Sequence, residues 1–272
     1  MKPGYLTKFA ACLLSVLLLW LPAYGMGPKP RVDDMQTGTG EDFTDPATGM
    51  EFIWVPGGPF FMGCGDWAGD CDLDEEPAHE VQLQGFWISK TEVTQGQWKK
   101  IMGFNPSHFD LGDDYPVENV SWTNAKEFVR RLTVANDMKY WFDIPSEAQW
   151  EYVCRSGGQA EQFAGTADPL EAAWFLENSQ GTTHPVASKK PNGLGVYDMS
   201  GNVWEWCRDQ YDVKAYAKHE PNDPVFRGEE PYHVIRGGAF NFNAFNVRCG
   251  VRNDSAPGDP YYDIGFRLVR TY

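Results

Sequence analysis

From residue 157 to the C-terminus the sequence never settles into a period of 2 or 3.6, yet it is neither polar nor simple. Glycines, prolines and aromatic residues are scattered through it. A compact domain carries so long an irregular stretch where ordered loops build a site or where a bound metal holds the chain. No second break in composition interrupts residues 47–272, so they are read as one domain with enough chain to bury a sizeable core.

The first half of that domain is more regular. "FIWVPGGPFFMG" has two apolar runs around Pro-Gly-Gly, which predicts a hairpin. "HEVQLQGFWISKTEVT" alternates as a strand does, and "TQGQWKKIM" reads as a helix with Thr94 at its N-cap. In "SWTNAKEFVRRLTVAND" Ser121 is the cap, and Trp122, Ala125, Phe128, Val129 and Leu132 fall on one helical face. "PSEAQWEYVCR" is a third helix, with Ser146 and Gln149 at capping-box spacing. Helices early, short strands and long ordered loops late make an α+β chain.

Residues 1–25 read as a signal peptide. Lys2 and Lys8 precede "FAACLLSVLLLWLPA", an apolar run too short for a comfortable span, and "AYG" offers small residues before Met26. Met26, not cysteine, stands directly after that point, so no lipid anchor is expected, and the chain is placed outside the cytoplasm, periplasmic or secreted. Residues 26–46 are rich in Pro, Gly, Thr and Asp and are read as a flexible linker. The leader carries two lysines and no acid, so the rest has 21 basic and 38 acidic residues, a net charge of −17. Such a surface repels phosphate backbones and anionic lipid, which excludes nucleic acid as a partner class, and it leaves no membrane span after the leader.

Four segments, "IPSEAQWEYVCRSGG", "KKPNGLGVYDMSGNVWEWCRD", "VIRGGAF" and "DIGFRLVR", together resemble the formylglycine-generating enzyme, or sulfatase-modifying-factor, domain. The resemblance covers residues 48–272 and implies a C-type-lectin-like α+β fold, low in regular structure and held by calcium. Catalytic members oxidise a substrate cysteine with copper on two cysteines. Other exported relatives oxidise siderophore precursors, and some are binding scaffolds with a variable C-terminal face.

By that resemblance the side chains of Asp198 and Glu205 and the carbonyls of Gly201 and Val203 would hold a structural Ca²⁺, whose ligands are hard oxygens. Cys154 and Cys249 fall where the family places a structural disulfide, and Arg236, Arg248, Arg252 and Arg267 at its framework positions, read as buried and structural. Cys64 and Cys71 flank a short Gly-Asp loop and suit a local disulfide in an oxidising compartment. Cys207 is left over and is read as a buried, inert thiol. Asp70, Asp72 and Asp74 suggest an EF-hand, but Glu75 stands where glycine is needed and Val81 where a bidentate glutamate belongs.

Copper needs two neighbouring thiolates, because Cu(I) prefers sulfur. Counting to the family's active positions in "GGAFNFNAFNVRCGVR" reaches Ala239, Phe242 and Ala244, with no sulfur. Copper is therefore not expected, and formylglycine generation is not the leading reading. What the segment offers is recognition chemistry: Phe240, Phe242 and Phe245 supply apolar area, and Asn241, Asn243 and Asn246 supply donors and acceptors. Trp204, Asn253, Asp254 and Tyr261 are placed with them as ligand-binding residues for a peptide, protein or small molecule. An oxidoreductase acting on an aromatic or peptide substrate is the alternative.

Overall fold

The computed structural model describes residues 40–271; the expected signal peptide and residues 26–39 of the expected linker lie outside them. The three helices start where their caps place them. In α1 (Gln95–Met102) the Thr94 hydroxyl accepts from the Gln97 amide at 3.2 Å, and Gln97 Oε1 accepts from the Thr94 amide at 2.9 Å. Ser121 and Ser146 open α2 (Trp122–Ala135) and α3 (Glu147–Cys154) in the same reciprocal way. The α2 face of Ala125, Phe128, Val129 and Leu132 is buried, and Phe128 stacks on Trp98 of α1 at 5.4 Å. Trp122 at the start of that face stays half-exposed.

An antiparallel five-stranded sheet runs in the order β1 (Phe43–Thr44), β2 (Glu51–Val55), β5 (Phe86–Ser89), β11 (Val269–Thr271), β6 (Trp141–Asp143). β11, from the C-terminus, lies between β5 and β6, so the sheet joins the two ends of the domain. β3 (Gly58–Met62) and β4 (His79–Leu83) form a two-stranded sheet.

Two expectations change here. Residues 40–46 are not linker: β1 pairs with β2, the Glu41 carbonyl accepts from Trp87 Nε1 at 2.8 Å, and buried Asp45 accepts from Asn136 and Thr48. Their polar groups bond to the fold instead of to water, which composition does not reveal. The runs around Pro-Gly-Gly do not form a hairpin either. β2 is occupied on both sides by β1 and β5, and Gly57, pressed against the backbone of residues 83–85, sends β3 away to β4.

The irregular half conceals a four-stranded sheet, β10 (Ile264–Gly265), β7 (Trp204–Gln210), β8 (His233–Arg236), β9 (Arg252–Ser255). Its strands mix buried charges among apolar residues, so no alternation is visible. The buried arginines are paired, whereas Asp209 of β7 accepts only from the Glu147 and Phe226 amides, at 2.8 and 2.7 Å. Arg236 reaches Glu147 at 3.0 Å and Glu151 at 2.6 Å, and Arg252 reaches Glu147 at 2.6 Å. Arg248 meets Glu75 at 2.7 Å, and Arg267 meets Glu205 at 2.6 Å. Glu147 and Glu151 lie one turn apart on α3, so that helix receives the arginines of β8 and β9. Burial pushes the Glu147 carboxyl up, but Arg252 and Arg236 outweigh it and hold the group at about 2.

Both disulfides form: Cys154–Cys249 ties the end of α3 to the segment before β9, and Cys64–Cys71 closes its local loop. Cys207 is a buried free thiol, its pKa raised by burial. No helix among the described residues is long and apolar enough to cross a membrane.

Candidate functional site

β7 and β10 run parallel, and β8 and β9 continue the sheet; together with the loops at 239–242 and 256–263 they enclose an open cleft of about 430 Å³. Trp204, Phe242, Asn253, Asp254 and Tyr261, five of the expected ligand residues, line it. Trp204 is 1% exposed and meets Phe242 edge to face at 5.3 Å, so the two rings form a fixed wall. The Trp204 amide donates to the Asp263 carbonyl at 2.8 Å, which sets that wall against the 256–263 loop. Tyr232, Asp259 and Asp263 also line the cleft and were missed by the sequence reading. Asp259 and Asp263 flank Tyr261 in the 256–263 loop, whereas Tyr232 comes from a separate loop and carries no signal in its spacing.

The other expected ligand residues lie elsewhere. Phe240 is core, 1% exposed, and packs on Phe109 at 5.3 Å. Asn243 and Asn246 bond to each other at 2.8 Å across the helical turn Ala244–Val247, and Phe245 lies under the Arg248 guanidinium at 4.0 Å. None of these four lines the cleft. Composition suggested a recognition surface, but the 3₁₀ turn Ala244–Val247 distributes Phe245 and its neighbours around its axis. Asn241 stands behind the cleft: its Nδ2 donates to Asp263 Oδ2 at 3.0 Å, and its buried Oδ1 has no partner.

Glu118, at 0% exposure, was not anticipated. Its Oε1 accepts from the Phe109 amide at 2.7 Å, and its Oε2 has no partner. Burial, with the charge of Asp263, pushes this carboxyl up to about 7 against the pull of backbone donors. A group with that pKa can hold or release a proton near neutrality.

The expected calcium residues Asp198, Gly201, Val203 and Glu205 lie along one sharp turn and the start of β7. Asp198, Gly201 and Asn202 all have positive φ, at 57°, 82° and 65°, so the chain folds back sharply there. A Cβ on Gly201 would collide with the Trp174 carbonyl, which makes glycine necessary. Asp198 Oδ2 accepts from the Ala187 amide at 2.7 Å, while its buried Oδ1 has no partner. Glu205 is already engaged: Arg267 holds both its oxygens, at 2.6 and 2.7 Å, and Trp150 Nε1 donates at 2.8 Å. Glu92, which is not among the expected residues, is a buried carboxylate that accepts from Asn202 Nδ2 at 2.8 Å and from the Val203 amide at 3.3 Å. Burial, then the charges of Asp198 and Glu205, push Glu92 well above the ordinary range. Three buried carboxylates thus face one guanidinium. The donor set and the open Asp198 oxygen fit a divalent cation.

A second cleft, about 510 Å³, has Lys99, Lys100 and Asp113 on its walls and no aromatic ring. No expected site residue falls there.

A family model described as "Sulfatase-modifying factor enzyme 1-like domain" matches residues 39–272. "Chaperone protein LppX" of Paenibacillus barcinonensis is 30% identical over an aligned length of 244 residues, covering 70% of this chain and 82% of that one. PvdO from Pseudomonas aeruginosa superposes with a TM-score of 0.77 at 29% identity, over 86% of this chain and 98% of its own. Treponema denticola variable protein 1 superposes at 0.75 with 27% identity, over 84% and 98%.

Proposed function

The chain belongs to the sulfatase-modifying factor enzyme 1-like family, and from that membership we propose that it is an exported binding member, with the β7–β10 cleft as its ligand site. The observation that carries this is the convergence of Trp204, Phe242, Asn253, Asp254 and Tyr261 on one open cleft. Rigid rings beside short amides and carboxylates make an adaptable recognition surface. Ala239, Phe242 and Ala244 bring no sulfur to the family's copper positions, and the free thiol of Cys207 is buried elsewhere. A relative named as a chaperone protein supports a polypeptide ligand. Two disulfides suit an oxidising compartment, and a net charge of −15 disfavours nucleic acid.

Panning a random-peptide phage library on the purified chain tests the reading. Peptides recovered this way are expected to lose about tenfold or more affinity when Phe242→Ala and Tyr261→Ala are combined. Peptides that bind the double variant as tightly as the parent would locate recognition elsewhere and end the reading. A second reading, an oxidoreductase acting on an aromatic or peptide substrate, draws on the Glu118 carboxyl at about 7 near the cleft wall. Oxygen uptake on adding a bound peptide, lost in Glu118→Gln, would favour it over binding alone.

Ca²⁺ is the structural ion of this reading, held by Asp198 with the carbonyls of Gly201 and Val203, and with Glu205 and Glu92 supplying charge. Its chemistry there is neutralisation of buried carboxylates, which keeps the sharply turned loop against Trp174. Chelation with EDTA is expected to lower the melting temperature by about 5 °C or more. An unchanged melting curve, with no calcium in the protein by mass spectrometry, removes the ion from the account.

A further inference from the structure

His79 and His219 stand 140 residues apart in the chain, so no spacing pairs them, yet their rings meet. His79 opens β4, and His219 follows the helical turn Ala215–Lys218. His79 Nε2 faces His219 Nδ1 at 3.0 Å. Tyr216 packs against both rings, at 5.0 and 5.2 Å, and Phe226 meets His219 at 6.2 Å, so both imidazoles are held in place. Each ring is only partly buried, and neither lines the β7–β10 cleft.

The hydrogens of this pair do not balance while both rings are neutral. His79 Nδ1 lies 3.1 Å from the Pro77 carbonyl, which can only accept, so the hydrogen of a neutral His79 sits on Nδ1 and its Nε2 is a bare lone pair. His219 Nδ1 must then donate to it, which leaves His219 Nε2 without a hydrogen. That nitrogen is buried and has no partner. One carboxylate oxygen each of Glu147 and Asp209 lies within 4.8 Å of a His219 ring nitrogen, surroundings that suit a hydrogen on Nε2 and oppose a lone pair there. A second proton on His219 would satisfy both of its nitrogens, but burial pulls the ring down to about 4, so that proton is missing at pH 7.

A metal ion between the rings removes the mismatch. It takes the lone pairs of His79 Nε2 and His219 Nδ1, so the hydrogen of His219 moves to Nε2, beside the carboxylates, and that of His79 stays on the Pro77 carbonyl. Ligating imidazoles are oriented in this way, each giving its other N–H to a carbonyl or a carboxylate. Two nitrogens bound tetrahedrally at about 2.0–2.1 Å lie about 3.3 Å apart, so the rings need to part only slightly. Glu147 and Asp209 are not ligands themselves: Arg236 and Arg252 hold Glu147, and the amides of Glu147 and Phe226 hold Asp209.

We propose that His79 Nε2 and His219 Nδ1 bind a nitrogen-preferring divalent cation such as Zn²⁺, with water completing its shell. The Ca²⁺ expected at Asp198 does not compete for it, because the pair offers nitrogen and no oxygen. The ion clamps the start of β4 to the end of the 215–218 turn. The site stands apart from the ligand cleft, so it holds or falls independently of the proposed function.

Calorimetry with Zn²⁺ on the calcium-saturated chain at pH 7, together with long-range proton–nitrogen spectra of the imidazoles, tests it. One Zn²⁺ per chain is expected to bind, moving the signals of His79 Nε2 and His219 Nδ1 and placing the His219 hydrogen on Nε2. His79→Ala and His219→Ala are each expected to weaken binding about tenfold or more, and His108→Ala, at an exposed histidine elsewhere, to leave it unchanged. Should His219→Ala fail to fold, His79→Ala, at a part-exposed position, decides alone. Zn²⁺ that binds His79→Ala as tightly as the parent, or that moves other histidines instead, is adventitious and overturns the site. Absence of binding at about 1 mM Zn²⁺ overturns it too. If both His219 nitrogens carry hydrogen before zinc is added, a proton already fills the place and the metal is overturned.

Discussion

Glu147→Gln is expected to cost about 3–5 kcal/mol, because it leaves a buried guanidinium without its carboxylate. Of its two contacts to Glu147, at 2.6 and 3.0 Å, Arg252 loses one acceptor and the charge behind both, and it keeps neutral carbonyls, those of Asp74 at 2.8 Å and Asp212 at 3.3 Å. Arg236 loses one carboxylate but retains Glu151. For a domain of this size the melting temperature should fall by about 10 °C or more. The effect depends on pH. The folded pKa of Glu147, about 2, lies below the ordinary 4.5, so its contribution is complete above about pH 4.5 and drains as the pH falls toward 2. The difference between parent and variant should therefore shrink in acid. A variant that melts with the parent at pH 7 would mean that the arginines are hydrated in solution, and the pairing would lose its role.

Replacing Cys154 and Cys249 together by alanine is the second large loss. Their bond spans 95 residues, and closing so long a loop removes about 4–5 kcal/mol of entropy from the unfolded chain in the chain-entropy model. Cys64–Cys71 spans only 7, for which the same model gives about 2–3 kcal/mol. Denaturant midpoints of the two double variants should keep that order. Equal losses, or the reverse order, would show that native contacts rather than loop length set the contribution of the 154–249 bridge. Burial raises the Cys207 thiol pKa only in the folded chain, so the midpoints are read in mild acid, where an unfolded thiol also yields little thiolate for exchange.

The parts legible in the sequence are those whose cause is local. Thr94, Ser121 and Ser146 open helices through bonds to residues three positions on, so the starts of α1, α2 and α3 can be read directly. The conformational demand at Gly201 is nearly as local. The site was only half legible. Trp204, Phe242, Asn253, Asp254 and Tyr261 do meet, but Phe240 is core and Asn243, Phe245 and Asn246 turn away. Which of several adjacent aromatics is buried depends on what packs against it, and Phe109, the partner of Phe240, is remote in sequence. Glu92 and Glu118 gave no sign because each sits in an ordinary-looking loop, and burial alone makes it unusual.

By itself, then, the amino-acid order determined the helix starts, the family motifs, the acidic surface and the want of sulfur at positions 239, 242 and 244. The tertiary structure alone decided that β3 leaves β2 for β4, that arginines from β8 and β9 converge on α3, and that three aspartates share one aromatic cleft without a cation. The division follows the range of the forces. Capping and turn preferences act over a few residues, whereas strand pairing, burial and charge compensation depend on groups brought together across the chain.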